Sequence, residues 1–230
     1  MIRIENTGVY GFEAAIRGMR NPMNSWEKSD SFIRTCSKGD LDRLCDKNCQ
    51  DPYCSGPNIS GIGKNDLDLM IRLRNAGTDH RKFMRMITVT ADITAPLYWY
   101  KEYDTYKVGT VANSCSTMHK IQAKEFTLDD FSHEYLNEKS LYMLNDTIQY
   151  LNAVREAFIE TKDKHYWWQM IQLLPSSYNQ RRTVMLNYEV LTNIYHARKN
   201  HKLDEWHTFC DWIEELPYSE LITNNGNEEL

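Results

Sequence analysis

A run of small polar side chains between Thr110 and Thr117 carries the most distinctive chemistry in this sequence. It follows a segment rich in Leu, Tyr and Trp that begins at Pro96 and ends at Lys107, where Gly109 allows a sharp exit. We predict that this aromatic segment is a buried helix opened by the proline. The loop after it could offer backbone N–H groups and hydroxyls to an anionic ligand. A capped helix followed by a surface turn explains the same pattern, so both interpretations stay open.

Cysteines form a second group with possible chemistry. Four of the six lie in a polar, irregular stretch at about residues 24–63, which we interpret as an insertion. Thiolates at short spacings bind zinc, and a metal can order a segment that lacks its own core. Eight, three and four residues separate them, and no Cys-x-x-Cys pair occurs. A zinc site and four ordinary thiols are therefore the alternatives for Cys36, Cys45, Cys49 and Cys54.

Two isolated side chains could also react. His80 lies in a polar loop and could act as an acid or a base, and Cys115 could act as a nucleophile. A lone loop histidine is more often structural or solvated, and Cys115 stands among small polar residues. The ordinary explanation is therefore the stronger one for both residues.

Composition limits the class of protein. The formal net charge is −5, which argues against a surface built to bind nucleic acid. No apolar run approaches the roughly 20 residues that a transmembrane helix needs. Residues 1–5 alternate as a short strand would and do not resemble a signal peptide. We therefore expect a cytoplasmic protein, without a membrane partner, whose cysteines are reduced.

Hydrophobic periodicity predicts an α+β fold, with strands near both ends of the chain and helices between them. Alternation at residues 85–93 predicts a half-buried strand, and an apolar stripe at 140–162 predicts one long helix. Asn65 or Asp66 could cap a helix that Gly77 ends. The remaining predictions are a strand at 181–186 and helices at 11–20, 166–174, 187–198 and 205–216.

Two regions share extended motifs with a known family. Ala95-Pro96 opens a match, without a gap through Met118, to Ala-Pro-(apolar)-Phe-…-Arg-Gln-Trp-…-Arg-His-Arg-x-x-Ser-x-Asn-Glu-x-Ser-x-Arg-Tyr. Eleven residues after Leu174-Pro175, Asn187 opens a match to Asn-x-Arg-x-Leu-x-x-Phe-x-x-x-Arg that ends at Arg198. In these motifs the chain resembles the flavin-dependent thymidylate synthases, the ThyX family.

The resemblance implies a fold, an activity and an assembly. The expected fold is a single domain over residues 1–230, with a central, mostly antiparallel sheet and flanking helices that include one long helix. Members of the family are homotetramers that bind FAD between subunits. They methylate dUMP reductively to dTMP, with methylenetetrahydrofolate as carbon donor and NADPH as reductant. We therefore expect a uracil nucleotide and a second copy of this chain as partners.

The resemblance also assigns roles to residues. Arg198 is the expected catalytic residue, because the family's late Arg polarises the uracil ring. The expected cofactor-binding residues are Lys107, Thr110, Asn113, Asn187 and Asn193. The expected substrate-binding residues are Cys115, Ser116, Thr117 and Arg198.

Several motif positions depart from the family pattern. Thr105-Tyr106-Lys107 replaces Arg-His-Arg, Ala112-Asn113 replaces Asn-Glu, Thr117 replaces a phosphate-binding Arg, and Glu189 replaces the Arg of Asn-x-Arg. Charge-assisted hydrogen bonds to phosphate are worth roughly 1.5–3 kcal/mol each, so these losses could lower nucleotide affinity by orders of magnitude. The cations that could compensate are Lys120, Arg181 and Arg182.

Three functions follow from this balance of retained and lost residues. The first is a divergent flavin-dependent thymidylate synthase. The second is a ThyX-fold protein that acts on another pyrimidine nucleotide. The third is a non-catalytic nucleotide-binding or interaction protein that has lost the flavin. Fold alone does not choose among them; flavin colour in the purified protein would separate the first from the third.

Overall fold

The computed structural model describes residues 2–31 and 61–224. Its strands are β1 (Arg3–Tyr10), β2 (Thr88–Pro96), β3 (Val111–Ser114) and β4 (Asn179–Asn187). Its α-helices are α1 (Phe12–Arg20), α2 (Lys64–Asn75), α3 (Leu97–Tyr103), α4 (Glu138–Thr161), α5 (Lys164–Leu173), α6 (Tyr188–Arg198), α7 (Asp204–Glu214) and α8 (Glu220–Thr223). The predicted zinc ligands Cys36, Cys45, Cys49 and Cys54 lie outside the described residues.

The described residues form two compact units, each assembled from separate stretches of the chain. One comprises residues 2–5, 92–105 and 112–183, and the other comprises residues 6–31, 61–91, 106–111 and 184–224. The single domain with an insertion at about 24–63 stays a prediction, because most of that insertion is not described.

The four strands form an open antiparallel sheet in the order β1-β2-β4-β3, which confirms the predicted α+β class. β2 is an interior strand, and its buried positions alternate as the sequence predicts, with Val89, Ala91 and Ile93 inside. Among residues 2–31 and 61–224, no helix combines the length and the apolar character that crossing a bilayer demands.

The long helix α4 confirms the prediction at about 140–162; it begins two residues earlier, ends one residue earlier and has 24 residues. Asn137 caps its N-terminus, because its side chain accepts a hydrogen bond from the Ser140 N–H at 2.9 Å. Its buried positions follow helical spacing and pack against α5 in a cluster that includes Leu144, Leu151 and Met170. This packing buries one side of α4 within a single unit.

The aromatic helix is shorter than predicted. It begins at Leu97, with Pro96 as its N-cap, and it ends at Tyr103 rather than at Lys107. It ends there because the Thr105 N–H and hydroxyl both turn back to the carbonyl of Glu102. The prediction that Lys107 ends this helix is therefore wrong.

Two further boundaries also differ from the prediction. Val111–Ser114 is the short strand β3, within the stretch that the sequence suggested was a loop. Helix α2 has Gly63 as its N-cap, so neither Asn65 nor Asp66 caps it. Asp66 lies in the first turn, and its carboxylate forms a buried cluster instead of a cap.

That buried cluster joins α1 to the start of α2. Arg20 and Asp66 are only 4% and 0% exposed, and their side chains meet at 2.6 Å. The hydroxyls of Ser29 and Ser31 donate to the other oxygen of Asp66 at 2.7 and 2.6 Å. Burial alone would raise the pKa of Asp66, but the hydrogen bonds from Ser31, Ser29 and Arg20 hold it below its usual value.

A second buried arginine, Arg74 on α2, fastens the C-terminal helix α8. It donates to the carbonyls of Leu221 and Ile222 at 3.2 and 3.3 Å, and its Nη2 lies 3.3 Å from Nε2 of His196 on α6. Burial, followed by the charges of Arg74 and Lys199, lowers the pKa of His196. The lowered pKa favours the neutral imidazole, whose Nε2 can accept from Arg74 when the other ring nitrogen carries the proton.

Acidification is expected to destabilise the fold through His196. The pKa of His196 in the folded chain lies below the usual histidine value of about 6.5, so the unfolded chain takes up this proton more readily. The contribution of neutral His196 to the free energy of unfolding is complete above the pKa of this residue in the unfolded chain. It is lost as the pH falls through the pKa of His196 in the folded chain. The urea midpoint should drop between about pH 7.5 and about pH 5.5, and His196→Gln should reduce that drop. Equal drops in wild type and His196→Gln, with the exposed His165→Gln as control, would contradict this account.

Candidate functional site

Arg198, the expected catalytic residue, is the last residue of α6 and packs against two aromatic rings that also contact each other. Its Nε donates to the hydroxyl of Tyr106 at 2.9 Å. Its guanidinium carbon lies 5.0 Å from the ring centroid of Trp206 and 5.6 Å from that of Tyr106. Trp206 is fully buried on α7, so the ring under the guanidinium is fixed. We call Tyr106, Arg198 and Trp206 the Arg198 clamp.

The opposite end of α6 contacts the same chain segment. Asn187 is the N-cap, and its Oδ1 accepts from the Val190 N–H at 3.0 Å. Gly109 adopts a φ of +80°, and a Cβ at this position would lie 2.8 Å from Nδ2 of Asn187. Residues 106–109 therefore run along α6 from Arg198 to Asn187, as expected for two helix positions that share a face.

Two other expected cofactor residues lie in or beside this segment. Lys107 is exposed, and Thr110 is half-buried with its hydroxyl donating to the carbonyl of Tyr106. Thr110 thus closes the turn at Gly109, which keeps the segment folded against α6. Their roles toward a cofactor stay predictions.

Asn193 lies on a different side of α6 from Asn187 and Arg198. Its Oδ1 accepts a long hydrogen bond from Nη2 of Arg81 at 3.4 Å, and Arg81 also pairs with Glu189 at 3.4 Å. Arg85 pairs with the same carboxylate. The structure therefore separates Asn193 from the pair Asn187 and Arg198, in line with the rotation of roughly 240° between positions 187 and 193.

Glu189 carries a negative charge inside this group. Burial raises the pKa of its carboxyl, but the hydrogen bonds and charges of Arg85 and Arg81 outweigh burial and hold the pKa below its usual value. Where the family motif has Arg, this chain has Glu189, and two arginines from the turn before β2 pair with its carboxylate.

Three of the four expected substrate-binding residues, Cys115, Ser116 and Thr117, belong to the other unit, as does Asn113. The N–H of Cys115 donates to the carbonyl of Arg181 at 2.9 Å, and its carbonyl accepts from Nε2 of Gln180 at 2.7 Å. The Ser116 hydroxyl accepts from the His119 N–H at 2.9 Å. The side chains of Asn113, Cys115 and Ser116 are exposed and that of Thr117 is half-buried, and their roles stay predictions.

Arg181 and Arg182, which the sequence suggested as compensating cations, both form ion pairs in this unit. Arg181 meets Asp92 at 2.7 Å, and Arg182 meets Asp104 at 2.7 Å. The Arg182 guanidinium also stacks 3.7 Å from the ring centroid of Tyr100. Any phosphate that these arginines bound would have to share them with a carboxylate.

Sequence reasoning did not find Trp206, Arg81 or Arg85. Trp206 has no counterpart in the motifs above, and the two arginines stand 108 and 104 residues before Glu189. One signal in the sequence could have revealed the two arginines: Glu189 stands where the family motif has Arg. A carboxylate buried in a helix needs a cation nearby, so a paired Arg or Lys could have been expected.

Comparison with known proteins shows the fold of this chain. No protein-family model and no curated protein matches it. Two crystal structures of the flavin-dependent thymidylate synthase ThyX from Helicobacter pylori, in complex with FAD and dUMP, match with TM-scores of 0.64. The matches cover 96% and 97% of this chain and 97% of each ThyX chain, at 16% and 15% identity.

A third solved structure has the same fold. The UMP/dUMP methylase PolB from Streptomyces cacaoi, bound to 5-Br dUMP, matches with a TM-score of 0.55 and 12% identity. The match covers 98% of this chain and 96% of PolB. At these identities the likeness shows fold alone, and the fold of this chain is ThyX-like.

Proposed function

We propose that this chain is a ThyX-like enzyme that methylates dUMP reductively to dTMP, with methylenetetrahydrofolate and NADPH as co-substrates. The observation that carries the proposal is the Arg198 clamp, in which Tyr106 and Trp206 hold the guanidinium of the residue that the sequence motif aligns with the family's late Arg. A guanidinium held in one orientation can stabilise negative charge on a bound substrate better than a mobile surface arginine can.

In this proposal Arg198 stabilises negative charge on a uracil carbonyl. The hydrogen bond from Nε to Tyr106 and the contact with Trp206 fix the plane of the guanidinium before a ligand arrives. A preorganised donor does not have to reorganise when charge develops on the substrate, so it favours the transition state over the ground state.

The polar groups near the Arg198 clamp are of the types that bind the phosphates and hydroxyls of an anionic dinucleotide. Lys107 supplies a cation, Thr110 a hydroxyl, and Asn187 an amide beside a glycine that lets the backbone approach closely. We propose that these residues bind FAD, and that Asn113 and Asn193 contribute from a neighbouring chain, since Asn193 lies on another side of α6. FAD would supply the reducing electrons, while the protein binds and orients the reactants.

Cys115, Ser116 and Thr117 are the proposed contacts to the nucleotide, because their hydroxyls and backbone N–H groups can donate to phosphate oxygens. We also propose a homotetramer, since the family binds FAD between subunits. Exposed apolar side chains on α4, including Tyr142 and Met143, provide area for such a contact.

A second candidate is methylation of another uracil nucleotide, which the shared fold with a UMP/dUMP methylase favours. The experiment that tests both is release of tritium from the uracil C5 position of dUMP and of UMP, with FAD, NADPH and methylenetetrahydrofolate present. Release from dUMP alone supports the first candidate, and release from UMP supports the second. Release from neither would favour a non-catalytic binding protein.

A further inference from the structure

Two polar side chains lie on the inner face of β4, where apolar residues would be expected. Gln180 and Arg182 are two positions apart, so they share the strand face on which Val184 and Leu186 are buried. Gln180 is 7% exposed, and the side chain of Arg182 is 12% exposed. A buried amide or guanidinium costs free energy unless hydrogen bonds satisfy it, so both residues need specific partners.

Arg182 is fixed by three contacts within its own unit. Its guanidinium stacks 3.7 Å from the ring centroid of Tyr100, which is only 1% exposed. Nη1 donates to Asp104 at 2.7 Å, and Nε donates to Oε1 of Gln180 at 2.9 Å. Because the stack and the ion pair set the plane of the guanidinium, the direction of its Nε–H toward Gln180 is also set.

Arg182 in turn decides which way the amide of Gln180 points. A guanidinium has donors and no acceptor, so the amide oxygen must face Arg182 and the NH₂ group must face away from it. That NH₂ group donates to the carbonyl of Cys115 at 2.7 Å. We call Arg182, Gln180 and the Cys115 carbonyl the Arg182 relay.

The Arg182 relay ends on a chain segment that is anchored on both sides. The N–H of Cys115 donates to the carbonyl of Arg181 at 2.9 Å, so both backbone polar groups of Cys115 are bound to β4. Three residues further on, the carbonyl of Met118 accepts from Nε1 of Trp167 at 3.0 Å. The two residues between these anchors carry the hydroxyls that are proposed to meet the nucleotide.

The sequence suggested that Arg182 compensates for a lost phosphate-binding cation, but its contacts indicate an indirect role. We propose that Gln180, oriented by Arg182, is a positioning residue that holds residues 115–117 in the conformation that binds the phosphoryl group of the nucleotide. The inference rests on the proposed function, which assigns residues 115–117 to the nucleotide. Neither the family motifs nor the proposed function gives Gln180 a role.

Gln180→Glu tests the hydrogen bond to Cys115 without changing the size of the side chain. The carboxylate can still accept from Arg182, but it cannot donate to the Cys115 carbonyl and repels it. The dissociation constant of dUMP, measured by calorimetric titration of the full chain, should rise about tenfold. Gln149→Glu is the matched control, because it makes the same change at an exposed position of α4, and it should bind dUMP as wild type does. Equal affinity for dUMP in Gln180→Glu and wild type would overturn the inference.

Turnover separates a positioning role from general damage to the fold. In tritium release from dUMP, Gln180→Glu should raise KM about tenfold and leave kcat within about twofold of wild type, because the guanidinium of Arg198 is untouched. A fall in kcat with an unchanged KM, as partial unfolding would cause, would contradict the positioning role.

A double-mutant cycle tests whether Arg182 acts through Gln180. Arg182→Met and Gln180→Met should each raise the dissociation constant of dUMP about tenfold, and the double variant should raise it no further, since both changes break the same relay. A rise of about a hundredfold in the double variant would mean that the two residues act independently, as a direct contact of Arg182 with phosphate would, and would overturn the relay.

Amide hydrogen exchange without ligand separates this inference from the proposed function. The His119 N–H donates to the Ser116 hydroxyl at 2.9 Å, so its protection reports the conformation of the segment. Gln180→Glu should speed exchange over residues 115–119 about tenfold, and Gln149→Glu should not. If wild type binds no dUMP, the proposed function fails and exchange decides the positioning role. Faster exchange in Gln180→Glu would then support that role, and exchange equal to wild type would overturn it.

Discussion

Replacement of Arg198 by alanine is expected to lower turnover of the uracil nucleotide by about a hundredfold or more, which corresponds to about 2.7 kcal/mol of transition-state stabilisation. The guanidinium is positioned by Tyr106 and Trp206 before substrate binds, so its loss should appear mainly in kcat and less in KM. Tritium release from dUMP measures this directly, and thermal unfolding checks that the variant remains folded.

Two further variants separate the charge of Arg198 from its positioning. Arg198→Lys should recover only part of the activity, because an ammonium is a point charge without a planar fork. Tyr106→Phe keeps the ring and removes the acceptor for Nε, so it should cost less than Arg198→Ala. Arg17→Ala, at an exposed arginine of α1, should be neutral. Unimpaired turnover in Arg198→Ala, with an active wild type, would exclude the assigned role.

Replacement of Asp66 by alanine is expected to lower the free energy of unfolding by about 3–5 kcal/mol. The change leaves Arg20 buried without its carboxylate, and it removes the acceptor for the hydroxyls of Ser29 and Ser31. Because many domains have only about 5–15 kcal/mol of stability in total, this variant should unfold at far lower urea concentration.

Asp68→Ala is the matched control for Asp66→Ala. It removes the same side chain two positions along α2, but Asp68 is exposed. Asp66→Asn keeps the shape and some hydrogen bonds while it removes the charge, so its loss of stability should be smaller. Equal urea midpoints for Asp66→Ala and Asp68→Ala would contradict the importance of the Arg20–Asp66 pair.

The sequence predicted the elements that have a strong local pattern. α4 has an apolar stripe over 24 residues, and β2 has strict alternation, so each signal is repeated many times within one element. The α6 helix was predicted almost to the residue from its inward Leu191, Ile194 and Tyr195. In the structure Asn187 is its N-cap, and Arg198 suits the C-terminal end of the helix dipole.

What the sequence did not predict was either hidden by a stronger local pattern or depends on contacts between distant residues. Helix α3 ends at Tyr103, where the hydroxyl of Thr105 donates to the carbonyl of Glu102. The aromatic pattern of the sequence continues to Tyr106, so it did not indicate this end of the helix. The Arg85–Glu189 pair joins residues 104 positions apart, which no local pattern reveals. In the candidate site, the motif placed Arg198, but only the structure shows that Tyr106 and Trp206 hold it.

Titration of the purified protein with FAD, followed by visible absorbance, tests the central claim most directly. If the chain is a ThyX-like flavoenzyme, FAD should bind at a fixed ratio per chain, with a perturbed flavin spectrum that NADPH bleaches in the absence of oxygen. Riboflavin, which lacks the phosphates, should bind more weakly. A flavin spectrum unchanged by the protein, with no FAD retained after gel filtration, would contradict flavin-dependent methylation and leave a ThyX-like fold with another use.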